Sequence, residues 1–159
     1  MIEVQNITKS FEGTEVLKGI STVFEKGKTN LIIGQSGSGK TVFLKCLLGL
    51  FEADSGKILF EGKRLKKMSV KERSVLRQEM GMVFQGSALF DSMTVEENIM
   101  FPMQMFTQKK NEEIRDRANS VIKRVNLVNA NEKFPDEISG GMKKRVAIAR
   151  AIVMNPKYL

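Results

Sequence analysis

The stretch Gly34-Gln35-Ser36-Gly37-Ser38-Gly39-Lys40-Thr41 constrains this chain more than any other. The apolar run Leu31-Ile32-Ile33 leads straight into it, and beyond it Phe43, Leu44, Leu47, Leu48 and Phe51 recur at helical spacing. Strand, glycine-rich loop and helix are therefore expected in unbroken succession. Glycines let successive backbone N–H groups curl around an anion without side-chain interference. The helix that follows points its positive dipole end at the same anion. Lys40 adds a mobile cation suited to the β- and γ-phosphates of a nucleotide, and the Thr41 hydroxyl suits Mg²⁺.

The rest of the chain alternates in texture. Ile2 to Ile7 reads as a half-buried strand, with further short strands at Ser21 to Phe24 and around Ile58 and Phe60. Gly81-Met82-Val83-Phe84 reads as another, ending at Gln85. Ser69 with Glu72, and Thr94 with Glu97, have capping-box spacing. The first opens a helix through about Arg77, and Pro102 ends or kinks the second. Ile114, Ala118, Val121, Ile122 and Val125 mark one face of a longer helix, and Ser139 caps a last one through about Met154. An α/β class follows, with a core over residues 1–85, a helical insertion over 86–138, and a closing helix and incipient strand over 139–159.

Composition removes several alternatives. The 159 residues, 42% hydrophobic and 28% charged, suffice for one domain with a real core. No uncharged apolar run approaches the roughly 18 residues of a membrane span. Met1-Ile2-Glu3-Val4 lacks the basic-then-apolar layout of a secretion signal, so a cytoplasmic protein is expected. Cys46, the sole cysteine, excludes an internal disulfide and is expected to be a packed core thiol. The net charge of +8 is interleaved with acids, as in Asn111-Glu112-Glu113-Ile114-Arg115-Asp116-Arg117. Such stretches are solvated helix faces, and no nucleic-acid partner is expected.

A second constellation narrows the reading. Ile138-Ser139-Gly140-Gly141-Met142, followed by Lys143-Lys144-Arg145-Val146-Ala147-Ile148-Ala149-Arg150-Ala151, resembles the signature motif of ATP-binding-cassette (ABC) proteins. Residues Gly34 to Thr41 match the Walker A pattern in full. Taken alone, a serine and two glycines before a helix make either an anion site or a plain N-cap. With both motifs, the chain resembles that family from Ile2 to Leu159.

The resemblance implies a P-loop NTPase fold: a RecA-like core, an N-terminal antiparallel β subdomain and an inserted helical subdomain. It implies ATP and Mg²⁺ as cofactors. Phe11, Gly34, Gln35, Ser36, Gly37, Ser38, Gly39, Lys40, Thr41 and Val42 would bind nucleotide, Phe11 stacking on adenine where relatives carry Tyr. Ser139, Gly140 and Gly141 would act in trans, on the nucleotide of a second subunit paired head to tail. Lys40 and Gln85, the Q-loop glutamine, would serve catalysis, and Thr41 and Gln85 the metal.

A permease is implied as membrane partner, its coupling helix docking near Ala88 to Met105 and holding the chain at the inner face of the membrane. Met93, Met100, Met103 and Met105 are expected to be core rather than part of that docking surface. Val83 to Phe90, and Met142 where most relatives carry Gln, look like the ATPases of Mla-type phospholipid transporters of the bacterial envelope. An ATPase serving another solute, such as an amino acid or peptide, and a non-catalytic nucleotide-binding fragment are the alternatives. The family's Asp-Glu strand would follow Tyr158-Leu159, and its switch histidine would follow in turn. C-terminal truncation is therefore expected, with negligible hydrolysis by these residues alone and an unpaired, aggregation-prone edge at Leu31-Ile32-Ile33.

Overall fold

Strand β1 (Ile2–Phe11) runs between two antiparallel neighbours, β2 (Thr14–Phe24) and β3 (Ser55–Phe60), and β4 (Lys63–Arg64) extends the order to β2-β1-β3-β4. The structure is a computed structural model describing residues 1–159, in two units, Met1–Ser74 and Val75–Leu159.

Local chemistry explains the first unit. Glu12 and Gly13 join β1 to β2 at φ 49° and 80°, and Glu61 and Gly62 join β3 to β4 at φ 49° and 81°. Two consecutive positive φ values are what a two-residue type I′ hairpin demands. β1 shifts register around Asn6, whose N–H and Oδ1 are both bound by the Ser21 hydroxyl, at 2.8 and 2.9 Å. Opposite, Gly56 at φ 84° lies so close that a Cβ would run into the Gln5 and Asn6 carbonyls. Val4, Ile7, Leu17, Ile58 and Phe60 are buried, as are Phe43, Cys46 and Leu47 of α1 (Lys40–Leu47). Cys46 is thus the core thiol expected, and burial raises its pKa. Helix α1 ends in a Schellman motif: Gly49 at φ 64° donates to the Cys46 carbonyl and Leu50 to that of Lys45.

Asp54 then ties the chain back to β1, accepting from Lys9 Nζ and from the Ser10 N–H, each at 2.7 Å. The Lys9 bond first, then that of Ser10, holds this carboxyl below its ordinary pKa. A depressed folded pKa means stability that is complete above the unfolded value of about 3.9 and is lost as pH falls through the folded value. Asp54→Asn is expected to lower the urea midpoint near pH 7 and to converge with the parent in strong acid. Curves displaced equally at every pH would refute the linkage.

The second unit is helical: α3 (Val95–Phe106), α4 (Asn111–Arg124) and α5 (Gly140–Ile152), preceded by the end of α2 (Val70–Gln78). Val95, Ile99, Met103, Ile114, Ala118, Val121, Val146 and Val153 form its core. Thr94 and Glu97 make a reciprocal capping box, and Ser69 with Glu72 makes the same pair of bonds at α2. Arg117 of α4 donates to the Ile152 and Val153 carbonyls at the end of α5, as a cation at a helix C-terminus should. Glu96, buried in the first turn of α3, is satisfied by Asn119 and Asn131, both at 3.1 Å, and by Arg115 at 3.2 Å.

Five expectations change. Leu31-Ile32-Ile33 is not a strand; Leu31 and Ile33 are 82% and 83% exposed. A strand needs a ladder partner, and no segment of this chain pairs with 31–33. Gly81 to Phe84 is also irregular for the same reason, its neighbour Met80 making one isolated parallel bridge to Tyr158. Pro102 does not end α3, which runs on to Phe106, with Met100 and Met103 buried on either side of the proline. The last helix stops at Ile152, before Asn155 turns the chain at φ 53°. The methionines divide: Met100 and Met103 are core, Met93 is half-buried and Met105 is 60% exposed. No helix is long and apolar enough to cross a membrane.

Candidate functional site

In the first unit, Gly34 to Gly39 form an open loop that ends in the α1 N-cap, Gly39, at φ 88°. A Cβ on Gly39 would press on Val16 and Leu17, at 3.0 and 3.1 Å, so only glycine fits there. Gly37 also has positive φ, 83°, with open space beside it. The first N–H to close the helix is that of Phe43, on the Gly39 carbonyl at 2.8 Å. The amides of Lys40, Thr41 and Val42 are therefore the orphan donors of the first turn, and no side chain caps them. Lys40 folds back across the loop, its Nζ donating to the Gly34 and Gln35 carbonyls, both at 2.7 Å.

Free amides, one cation and an open glycine surface suit a polyphosphate. Thr41, exposed on the first turn, adds a hydroxyl. No group of three or more His, Cys, Asp or Glu side chains is placed to hold a metal. Mg²⁺ at such a site draws its ligands mainly from phosphate oxygens and water, with one or two protein groups. The residues therefore fit a nucleotide with its metal, and do not fit an all-protein metal centre.

Phe11 stands elsewhere in this unit. Its ring meets Phe51 edge-on at 5.4 Å between centroids, with Lys9 Nζ 5.4 Å from its own centroid. Phe51 follows α1 and bonds to Lys45 near that helix's end, so Phe11 lies towards the far end of α1 from the loop.

In the second unit, Gln85 is exposed in a turn closed by the Ser87 N–H on the Phe84 carbonyl at 3.0 Å. Ser139 is the N-cap of α5, its Oγ accepting from the Met142 N–H at 3.3 Å. A Cβ on Gly140 would meet nothing within 4 Å, so the approach to this helix end is open. Two residues that the sequence reading passed over organise this unit. Asn98 is fully buried and binds Phe90, Met93 and Thr94. Arg150 of α5 donates to the Ala88 and Ser87 carbonyls, at 2.8 and 2.9 Å. Their signal was a polar residue on an apolar helix face, beside Val95 and Ile99 for Asn98, and beside Val146 and Ala149 for Arg150. Such residues need partners, because buried polar groups are hydrogen-bonded.

A glycine loop opening a helix, an antiparallel sheet whose strands flank it in sequence and a helical unit after them define a P-loop NTPase of the cassette type. The chain belongs to the ABC transporter family: residues 17–159 match the family model ABC_tran, described as ABC transporter. It is 40% identical over 158 residues to the probable ribonucleotide transport ATP-binding protein mkl of Mycobacterium leprae, covering 99% of this chain and 46% of that protein. It is 40% identical over 159 residues to the methionine import ATP-binding protein MetN of Clostridium tetani, covering 100% of this chain and 50% of that protein. The chain thus spans about half the length of these curated relatives. Among solved structures, the dimeric post-hydrolysis cassette MJ0796 bound to ADP and Pi superposes with a TM-score of 0.87 at 29% identity, over 98% of this chain and 71% of that one.

Proposed function

We propose that this chain is the ATP-binding part of an ABC transporter subunit that couples MgATP binding and hydrolysis to transport through a membrane partner. The observation that carries the reading is the Lys40 ammonium lying across an open glycine loop whose helix amides are unspent. On nucleotide binding, Lys40 exchanges two loop carbonyls for phosphate oxygens, while the amides of Gly37 to Val42 line the phosphate chain. Mg²⁺, when bound, supplies charge neutralisation at the β- and γ-phosphates. Thr41 offers it a hydroxyl, Gln85 orients the attacking water, and Phe11 stacks on the adenine.

Ser139, Gly140 and Gly141 close over the nucleotide of a second, head-to-tail copy. The dimeric cassette of matching fold and the open approach at Gly140 support that arrangement. A permease docks near Ala88 to Met105 and keeps the chain at the inner membrane face. Phe90, Met105 and Phe106 are exposed there, and a groove lined by Met82, Phe84, Phe90, Phe101, Pro102 and Phe106 offers an apolar seat.

Phospholipid is the proposed cargo, on the strength of Val83 to Phe90 and Met142. The relatives named for ribonucleotide transport and methionine import favour the second reading, an ATPase serving another solute. Stimulation of hydrolysis by the purified cargo, in the subunit reconstituted with its permease, separates the two.

Calorimetric titration of the chain with MgATP is expected to show one saturable site per chain. Absence of binding at millimolar MgATP would overturn the nucleotide reading.

A further inference from the structure

We infer that Arg150 is a positioning residue that sets the conformation of the Gln85 turn from the body of α5, so that this turn and the helix capped by Ser139 move as one piece. The consequence for the metal rests on the reading of Gln85 given above; the clamp itself rests on geometry within the second unit.

Immediately after Gln85-Gly86, Ser87 and Ala88 have φ of 63° and 46°. Two successive non-glycine residues in the left-handed region are costly, because each Cβ crowds the following carbonyl oxygen. Such a conformation persists only where its surroundings impose it. Ala88 has no polar side-chain atom to supply the local hydrogen bond that lets Asn or Asp tolerate this region. What holds the turn is the guanidinium. Its Nη1 takes the Ala88 carbonyl at 2.8 Å and its Nη2 takes that of Ser87 at 2.9 Å. A planar fork of donors matches two adjacent carbonyls in a way a single ammonium does not. Its far side lies over the Phe90 ring, 5.8 Å from the centroid.

The group is half-buried, and burial alone lowers its pKa. A desolvated cation with two carbonyls as its principal partners resists being pulled away from them. Beneath it, the Ser87 N–H to Phe84 and the Ala88 N–H to Gly86 bonds, at 3.0 and 2.7 Å, complete the turn. Arg150 sits in the last turn of α5, whose N-cap is Ser139. One rigid helix therefore joins the candidate trans-acting motif to the backbone beside Gln85.

The experiment compares the parent with Arg150→Lys, Arg150→Met, Gln85→Ala and the double variant Arg150→Lys/Gln85→Ala. Amide hydrogen exchange reads the clamp without nucleotide. In Arg150→Lys, amides of residues 85–90 are expected to exchange at least about tenfold faster, a loss of about 1.4 kcal/mol of protection. Exchange in α4 and the melting temperature are expected to stay at parental values. If Arg150→Met unfolds the chain, the lysine variant still decides.

The second readout is the gain in ATP affinity on adding Mg²⁺ to an EDTA-treated sample. Gln85→Ala and Arg150→Lys are each expected to reduce this gain, and the double variant to be no worse than Gln85→Ala. Unchanged exchange at 85–90 in Arg150→Lys would overturn the clamp. A normal Mg²⁺ gain in Arg150→Lys, with a reduced gain in Gln85→Ala, would overturn its positioning role. A normal gain in Gln85→Ala would instead remove the metal role of Gln85, and leave the exchange result to judge Arg150.

Discussion

Lys40→Ala is expected to weaken MgATP binding by about two to three orders of magnitude and to leave the fold in place. Each charge-assisted hydrogen bond from an ammonium to phosphate is worth about 1.5–3 kcal/mol. Two such bonds come to about 3–6 kcal/mol, and giving up the two loop-carbonyl bonds brings the net to the lower part of that range, with 1.4 kcal/mol for each tenfold in affinity. The cost to stability is small because the two bonds that Lys40 makes without nucleotide are solvent-exposed. Binding and folding thus separate cleanly in this variant. Lys40→Arg is expected to recover little affinity, since a planar guanidinium cannot follow the tight path of an ammonium back over the loop. Calorimetry with MgATP and a thermal melt on the same preparation check both halves. Identical titrations for parent and Lys40→Ala would remove the phosphate site and favour a remnant that no longer uses its loop.

What the sequence made legible was whatever chemistry is local to a few residues. The capping boxes at Ser69 and Thr94 need only a hydroxyl and a carboxylate three residues apart, and both formed. The loop at Gly34 to Thr41 was readable for the same reason: glycine freedom, a helix start and a lysine are all encoded within the motif. The stripe from Ile114 to Ile122 was readable because a helix supplies its own hydrogen bonds and asks its neighbours only for apolar contact. Strands ask for more. Leu31-Ile32-Ile33 has the composition of a buried strand, yet its backbone groups find no ladder partner in this chain. Nothing within those residues records whether a partner will be present.

Arg150 and Asn98 mark a different limit. Each satisfies backbone carbonyls of a segment whose path is set by the fold, and for Arg150 that segment lies 62 residues earlier. A sequence shows that such a residue sits on an apolar face and must be paired, but not with what. Family resemblance did not help either, because it assigns roles to residues that touch nucleotide and says little of those that hold the touching residues in place.

Asn98→Leu is expected to destabilise the second unit by about 3 kcal/mol, a large share of the 5–15 kcal/mol typical of a domain. The side chain is fully buried and its amide group is spent entirely on backbone. Oδ1 accepts from the Phe90 N–H at 2.8 Å, while Nδ2 faces the carbonyls of Phe90, Met93 and Thr94 at 2.9–3.0 Å. Leucine keeps the branched shape and the apolar surroundings beside Val95 and Ile99, so the loss falls mainly on the hydrogen bonds. It removes the partner of the part-buried Phe90 N–H and of the Met93 carbonyl, whereas the Phe90 and Thr94 carbonyls keep the backbone donors of Met93 and Asn98. Each unsatisfied buried group costs about 1–3 kcal/mol, so two of them account for the expected loss.

Asn98→Asp provides the control on mechanism. It retains the acceptor for Phe90 but sets a carboxylate oxygen against three carbonyls, so it is expected to be no more stable than the leucine variant at neutral pH and to regain stability in mild acid. The sign follows from burial and the facing carbonyls, which raise the folded pKa of that aspartate above about 3.9 and make folding favour its protonated form. Urea unfolding followed by circular dichroism at two pH values reads both variants. A leucine variant within about 0.5 kcal/mol of the parent, the range of neutral surface changes, would mean that the segment from Phe90 to Thr94 is held by its own turns and that Asn98 is a passenger.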